Sequence, residues 1–186
     1  RMNRIKLKTR AGETAILIPG KMEMLEELYS PGSTIILADE NVMKFHSEKI
    51  SAFPVIVIAE GEGSKTLEIY DSVFQDLLDN NVDRSWNLVG LGGGITTDLA
   101  GFVASTFFRG IRFAYISTTL LGQVDAAIGG KNGINYKGYK NLIGVINQPD
   151  FVMCDTDSLK TLPKSEFIGG FSEIIKYAFI RRPDLY

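Results

Sequence analysis

Six short apolar or β-branched runs recur along the chain: Ala15 to Ile18, Thr34 to Ala38, Val55 to Ala59, Leu88 to Leu91, Phe113 to Ile116 and Val152 to Cys154. Most lack the period-two alternation of a half-exposed strand. They predict strands covered on both faces. Between them lie stretches with apolar residues three and four apart. In Lys65 to Asn80, the residues Leu67, Tyr70, Val73, Phe74, Leu77 and Leu78 share one helical face, and core packing accounts for them. Val42 to Ile50, Ile95 to Phe107 and Lys164 to Ile180 read as further helices. Alternating strands and helices predict an α/β fold on a parallel sheet. Ile5 to Thr9 and Ala15 to Ile18, around Ala11-Gly12-Glu13, predict a hairpin at its start.

Asp155-Thr156-Asp157-Ser158 and Pro163 punctuate the chain after the last strand. They predict a domain boundary, with an α/β domain over 1–160 and the start of an α-helical domain over 161–186. With Tyr186 as its last residue, the chain leaves the final helix few neighbours to bury Phe167, Phe171, Ile174 and Ile175.

Composition narrows the function classes. Hydrophobic residues make up 45% and charged residues 23% of the 186 positions, which is globular, and no run is long enough to span a bilayer. The net charge of -2 gives no broad basic surface for nucleic acid; Lys131, Lys137 and Lys140 form only a local cationic cluster suited to small anions. One cysteine, Cys154, excludes an internal disulfide, and no secretory pattern opens the chain, so a cytoplasmic location is expected. Arg1 before Met2 reads as a cloning remnant.

Asn87 to Asp98, NLVGLGGGITTD, reads as a buried strand, a glycine turn and a helix start. Glycines there let backbone N–H groups approach an anion such as a pyrophosphate at a helix N-terminus. The spacing is neither G-x-G-x-x-G nor a Walker A loop, and a plain tight turn would also explain it. Asp98, near the first turn, could be a cap. Asp39, at a strand end, could accept the hydroxyls of an adenosine ribose or cap the next helix. It precedes the glycine loop by about fifty residues, the reverse of the usual order of such an acid and its glycines. Glu62-Gly63-Ser64-Lys65 reads as a helix N-terminus, and Lys131 and Lys176, each taken alone, as surface charges.

Further along lie Arg109-Gly110, Thr118-Thr119-Leu120-Leu121-Gly122-Gln123-Val124-Asp125, Gly129-Gly130-Lys131, Lys140-Asn141 and Gly170-Phe171-Ser172-Glu173-Ile174-Ile175-Lys176-Tyr177. This ordered set resembles the dehydroquinate synthase family of sugar phosphate cyclases, in nearly unbroken register from about Asp39 to Tyr186. It is similar to the N-terminal, NAD-binding half of such an enzyme. The resemblance implies a Rossmann-related dinucleotide-binding domain followed by the first helix of an α-helical metal-binding domain. It implies NAD contacts from Asp39, Glu62, Lys65, Gly93, Gly94, Ile95, Asp98, Thr118, Thr119, Lys140 and Thr161. Asp125, Lys131, Asn141 and Lys176 match positions that hold the hydroxyls, carboxylate and phosphate of a sugar phosphate substrate. Arg109 matches an arginine that reaches the phosphate of a neighbouring subunit, which implies a homodimer. Glu173 matches the metal-binding glutamate, whose histidine partners belong to the C-terminal half. The single histidine, His46, matches no ligand position and reads as a surface residue.

The activity implied is that of 3-dehydroquinate synthase in the shikimate route, with NAD and Zn2+ (or Co2+). A sugar carbinol is transiently oxidised, phosphate is eliminated, hydride is returned and an intramolecular aldol closes the ring. A chain without the C-terminal half is expected to be inactive. Ile95-Thr96-Thr97, Gly122 and Asn132 depart from the commonest family pattern and leave room for a sister sugar phosphate cyclase. An iron- or zinc-dependent glycerol or alcohol dehydrogenase shares a G-G-G-x-x-x-D loop, but a small alcohol gives Arg109, Lys131, Lys140 and Lys176 less reason to converge. A stand-alone NAD-binding module is the third possibility.

Overall fold

A computed structural model of the chain describes residues 2–182 and 184. Its centre is a seven-stranded sheet. The strands are β1 (Asn3–Thr9), β2 (Gly12–Ile18), β3 (Thr34–Asp39), β4 (Val55–Ile58), β5 (Asn87–Gly92), β6 (Arg112–Ser117) and, after a separate hairpin, β9 (Phe151–Cys154). Their order across the sheet is β1-β2-β9-β6-β5-β3-β4, parallel throughout except for β1, which pairs antiparallel with β2 in the expected opening hairpin.

The continuous apolar runs have a direct structural cause. Successive strand residues point to opposite faces, and both faces are covered. Ile35, Leu37, Leu88, Phe113 and Tyr115 face one cluster, while Ile36, Ala38, Val89, Ala114 and Ile116 face the other. The first cluster is closed by α3 (Leu67–Asp79) and α4 (Gly94–Thr106). The second is closed around Met22, Leu25 of the short α1 (Leu25–Leu28), Val42 of α2 (Glu40–His46), Ile50 and Phe53. Thr66 caps α3 by accepting from the N–H of Ile69, which places the first helical residue, Leu67, two residues past Lys65.

The second sheet is a hairpin, β7 (Lys131–Tyr136) and β8 (Tyr139–Ile146), laid over α4. Its Lys137-Gly138 loop has φ of +47° and +83°, the double left-handed turn that matches strand twist. Beneath it, Gly101 lets α4 approach: an added Cβ would run into Tyr115 and Asn132.

The last helix, α5 (Lys164–Ile180), docks through Gly170, where a Cβ would lie 2.7 Å from the backbone nitrogen of Leu121. Phe171 and Ile175 are 45% and 50% exposed, whereas Phe167 and Ile174 are half-buried. No described helix is long and apolar enough to cross a membrane.

One residue departs from expectation. His46 is buried, not on the surface, because the C-terminal end of α2 packs beneath the turn at Thr156–Thr161; its Nε2 lies 3.1 Å from Thr161 Oγ1.

Candidate functional site

Chain order reverses between β3 and β5: β3 leads outward to β4, whereas β5 leads the other way to β6 and β9. In a parallel α/β sheet, the crevice beyond the strand carboxyl ends at such a switch point is where ligands bind. Asp39 ends β3 on one side, and on the other Gly92 ends β5 and Gly93 leads into α4 at Gly94. Asp39 Oδ1 accepts from the N–H of Val42 at 3.0 Å and caps α2, while Oδ2 accepts from Thr96 Oγ1 at 3.0 Å across the crevice. A Cβ on Gly92 would sit 2.7 Å from that Oδ2, so the glycine is required by the close approach of the carboxylate. Gly93 takes the N-cap position of α4 without any side-chain cap, which leaves the first-turn N–H groups, including those of Gly94 and Ile95, without a side-chain acceptor. Thr118 donates its N–H to Gly92 O at 3.0 Å, and Thr119 flanks Gly93.

One turn further along α4, Asp98 lies too deep in the helix to cap it and instead receives the Lys65 ammonium. Lys65 is 4% exposed and also donates to Asn141 Oδ1 at 2.5 Å. Burial pushes the Asp98 carboxyl above its ordinary range, against the opposing pull of Lys65 and Lys131. A cleft of about 470 Å³ opens here, with Asp98, Asp125, Lys131 and Asn141 in its lining. Asp125 comes from a single π-helical turn, Gly122–Ala126, a feature common at functional sites. Across from it, α5 brings Lys176 Nζ to 3.9 Å from Asp125 Oδ1, Tyr177 donates to the same oxygen, and Lys176 also pairs with Glu173. The bond to Glu173 raises the Lys176 pKa, and the bond to Asp125 raises that of Tyr177.

Other expected residues stand apart. Glu62 and Lys140 are exposed at the rim, 3.8 Å from each other. Thr161 is held by His46 and Ser158. Arg109 follows α4, whose 13 residues carry the chain from the carboxyl edge back to the amino edge of the sheet, roughly 20 Å at 1.5 Å per residue. It is exposed, at φ +69° directly after Phe108 at φ +51°. Within its own chain it does not join the cleft.

Residues 55–169 match the family described as 3-dehydroquinate synthase N-terminal. The chain belongs to the 3-dehydroquinate synthase family. It is 42% identical over 171 residues to a 3-dehydroquinate synthase of Alkaliphilus oremlandii (strain OhILAs), a match that covers 88% of the chain and 47% of that relative. Thus the chain spans about half the length of the curated relatives it matches. Among solved structures it resembles 2-epi-5-epi-valiolone synthase from Streptomyces hygroscopicus subsp. jinggangensis 5008, with NAD+ and Zn2+ bound (TM-score 0.85, 26% identity, 99% of this chain and 53% of that one). It also resembles 2-deoxy-scyllo-inosose synthase complexed with carbaglucose-6-phosphate, NAD+ and Co2+ (TM-score 0.83, 25% identity, 96% and 52%).

Thr96, Thr97, Gly122 and Asn132 each have a local structural role. Thr96 bonds Asp39, and Thr97 Oγ1 donates to Gly94 O at 3.1 Å. Gly122 lies against Ser117 Oγ where a Cβ would collide. Asn132 accepts from the buried Tyr115 hydroxyl at 2.5 Å and donates to the carbonyls of Gly130 and Asn147, at the end of the hairpin where Lys131 begins β7. Three residues have contacts at the site that the sequence reading did not assign. Tyr177 lies within a quoted motif, and its spacing one residue past Lys176 was a usable signal. Asn132 and Asn135 lie in the hairpin, which periodicity did not reveal.

Proposed function

We propose that the chain is the NAD-binding part of a 3-dehydroquinate synthase, which converts 3-deoxy-D-arabino-heptulosonate 7-phosphate to 3-dehydroquinate and phosphate in the shikimate route. One observation carries this reading: the first two turns of α4 border both the switch-point crevice, through Gly93 to Thr96, and the charged cleft, through Asp98. A dinucleotide in the first would therefore lie against an oxyanion substrate in the second. The pyrophosphate suits the free N–H groups of Gly94 and Ile95, and Asp39 suits ribose hydroxyls and repels a 2′-phosphate. Glu62, Lys65, Thr118, Thr119 and Lys140 complete the cofactor contacts; Thr161 joins them on the family pattern alone. Bound NAD supplies a reversible hydride acceptor.

On the substrate side, Lys131 and Lys176 offer point charges to carboxylate and phosphate oxygens, and Asp125 and Asn141 offer hydrogen bonds to hydroxyls. Arg109, at the far edge of its own sheet, serves the phosphate of a second copy in a cytoplasmic homodimer. Residues 161–186 begin a second domain. Among the described residues no group of three or more His, Cys, Asp or Glu could hold a metal ion, so these residues do not make a metal centre by themselves. Glu173 is one ligand of a Zn2+ or Co2+ ion whose others come from the region of the longer relatives that this chain does not cover. The isolated chain is accordingly inactive and binds no tight zinc. The likeness to valiolone and inosose synthases favours a sister sugar phosphate as the second reading.

The test follows inorganic phosphate and reduced-nicotinamide absorbance together in the full-length protein that carries this sequence, supplied with NAD, zinc and the heptulosonate phosphate. Phosphate release without net NADH is the expected result, since the hydride is borrowed and returned. Net NADH from glycerol, with no phosphate release, would replace the synthase by a dehydrogenase.

A further inference from the structure

The β8 strand is irregular where it meets the cleft. Ile134 pairs with Ile143 and Tyr136 with Tyr139, so one residue of β7, Asn135, faces three of β8, Lys140, Asn141 and Leu142. Surplus residues of this kind bend a strand and re-aim its side chains. The middle one, Asn141, has φ +53°, a left-handed conformation that persists when its surroundings hold it. The Asn135 side chain does so. Its Oδ1 accepts the N–H of Asn141 at 2.9 Å, taking the place of a ladder bond. Its Nδ2 donates to Glu62 Oε1 at 2.7 Å, and its backbone N–H donates to Lys65 O at 2.8 Å. One residue thus ties the bulge to the Glu62–Lys65 turn, and the two tied segments meet again where Lys65 Nζ donates to Asn141 Oδ1.

We infer that Asn135 is a positioning residue: its carboxamide locks the β8 bulge and so fixes the Asn141 side chain and the Lys65 ammonium in the cleft. This rests on the proposed roles of Lys65 and Asn141 in binding. The carboxamide is required because it offers an acceptor to one partner and a donor to the other. Aspartate keeps the acceptor for Asn141 but sets a carboxylate against Glu62; alanine removes both.

The test uses the full-length protein with Asn135→Ala, Asn135→Asp, Glu62→Gln and the double Asn135→Asp/Glu62→Gln. Two quantities are read: turnover of the heptulosonate phosphate and hydrogen exchange of the Asn141 amide. Asn135→Ala should lower kcat roughly 10–100-fold, as expected for a misplaced contact, and speed Asn141 exchange by about tenfold or more as its acceptor is lost. Asn135→Asp should cost about tenfold with Glu62 present, but less than about threefold when compared with Glu62→Gln, because the carboxamide introduced by Glu62→Gln can donate to the new carboxylate. A merely structural role would give the same cost in both backgrounds, and that equality would overturn the proposal. Unchanged Asn141 exchange in Asn135→Ala would do so too. Should the wild type show no turnover, the synthase reading fails, and the exchange measurement alone still decides the role of Asn135.

Discussion

The Thr96 hydroxyl donates to Oδ2 of Asp39 across the crevice between β3 and β5, while the other oxygen of the same carboxylate caps α2. The cap and the crevice wall are one side chain. Asp39→Asn separates the two roles, because asparagine caps about as well as aspartate but carries no charge. Chemical denaturation should show a change below about 1 kcal/mol, while titration calorimetry shows a weakened preference for NAD over NADP. Equal discrimination in both proteins would return Asp39 to a purely structural role.

Lys131 and Lys176 lie at the cleft with exposed or half-exposed side chains, so their removal should leave the fold intact. Lys131→Ala or Lys176→Ala in the full-length protein should reduce turnover by about 10²-fold or more, the scale of a lost oxyanion contact, with NAD affinity nearly unchanged. Wild-type kinetics in either variant would make that lysine an ordinary surface charge. Asp98→Ala should behave differently. It strands the buried Lys65 ammonium, at a cost of about 3–5 kcal/mol, so stability and cofactor binding should fall together in denaturation and calorimetry.

Much of this arrangement was legible in the sequence because the parallel sheet writes itself as continuous apolar runs. The strands at Thr34, Leu88, Phe113 and Val152 and the helix over Lys164–Ile180 lie where patterning put them. The β7–β8 hairpin did not show, because β8 is largely exposed and its bulge breaks any alternation. Lys131, Lys140 and Asn141 were therefore recognised as motif residues, whereas Asn135, which ties Asn141 in place, was not. Asp98 read as a cap from its distance to the glycines alone. The partner that explains it, Lys65, lies 33 residues away in sequence, and no local pattern encodes that contact. His46 read as a surface residue because nothing in α2 announces the turn that covers it.

The buried His46 makes a pH prediction. Burial, with nearby Lys49, holds its imidazole below the ordinary histidine range, opposed by Asp155 and Glu23. A folded pKa below the unfolded one means that the stabilising contribution is present above about pH 6.5 and is lost as pH falls through the folded value. Urea unfolding should therefore show stability dropping as pH falls below about 6.5, and a smaller drop in His46→Gln. An equal drop in the variant would assign the acid sensitivity to other groups.

Gly170 is the seat of α5, and Leu120 Cβ lies 2.8 Å from where its Cβ would be. Gly170→Ala should push α5 away from the Asp125 turn at a cost of about 1–3 kcal/mol, and faster proteolysis within α5 would report it. Proteolysis at the wild-type rate would show that the helix shifts without loss.

A titration of the isotope-labelled protein with NAD, followed by amide resonances, tests the switch-point crevice as a dinucleotide site most directly. The amides of Gly93, Gly94, Ile95, Thr118 and Thr119 should shift together and saturate at or below about millimolar NAD, while that of Arg109, at the opposite edge of the sheet, stays unmoved. A well-folded protein whose glycine-loop amides do not move at that concentration, or whose shifts cluster away from Asp39 and α4, would contradict the account.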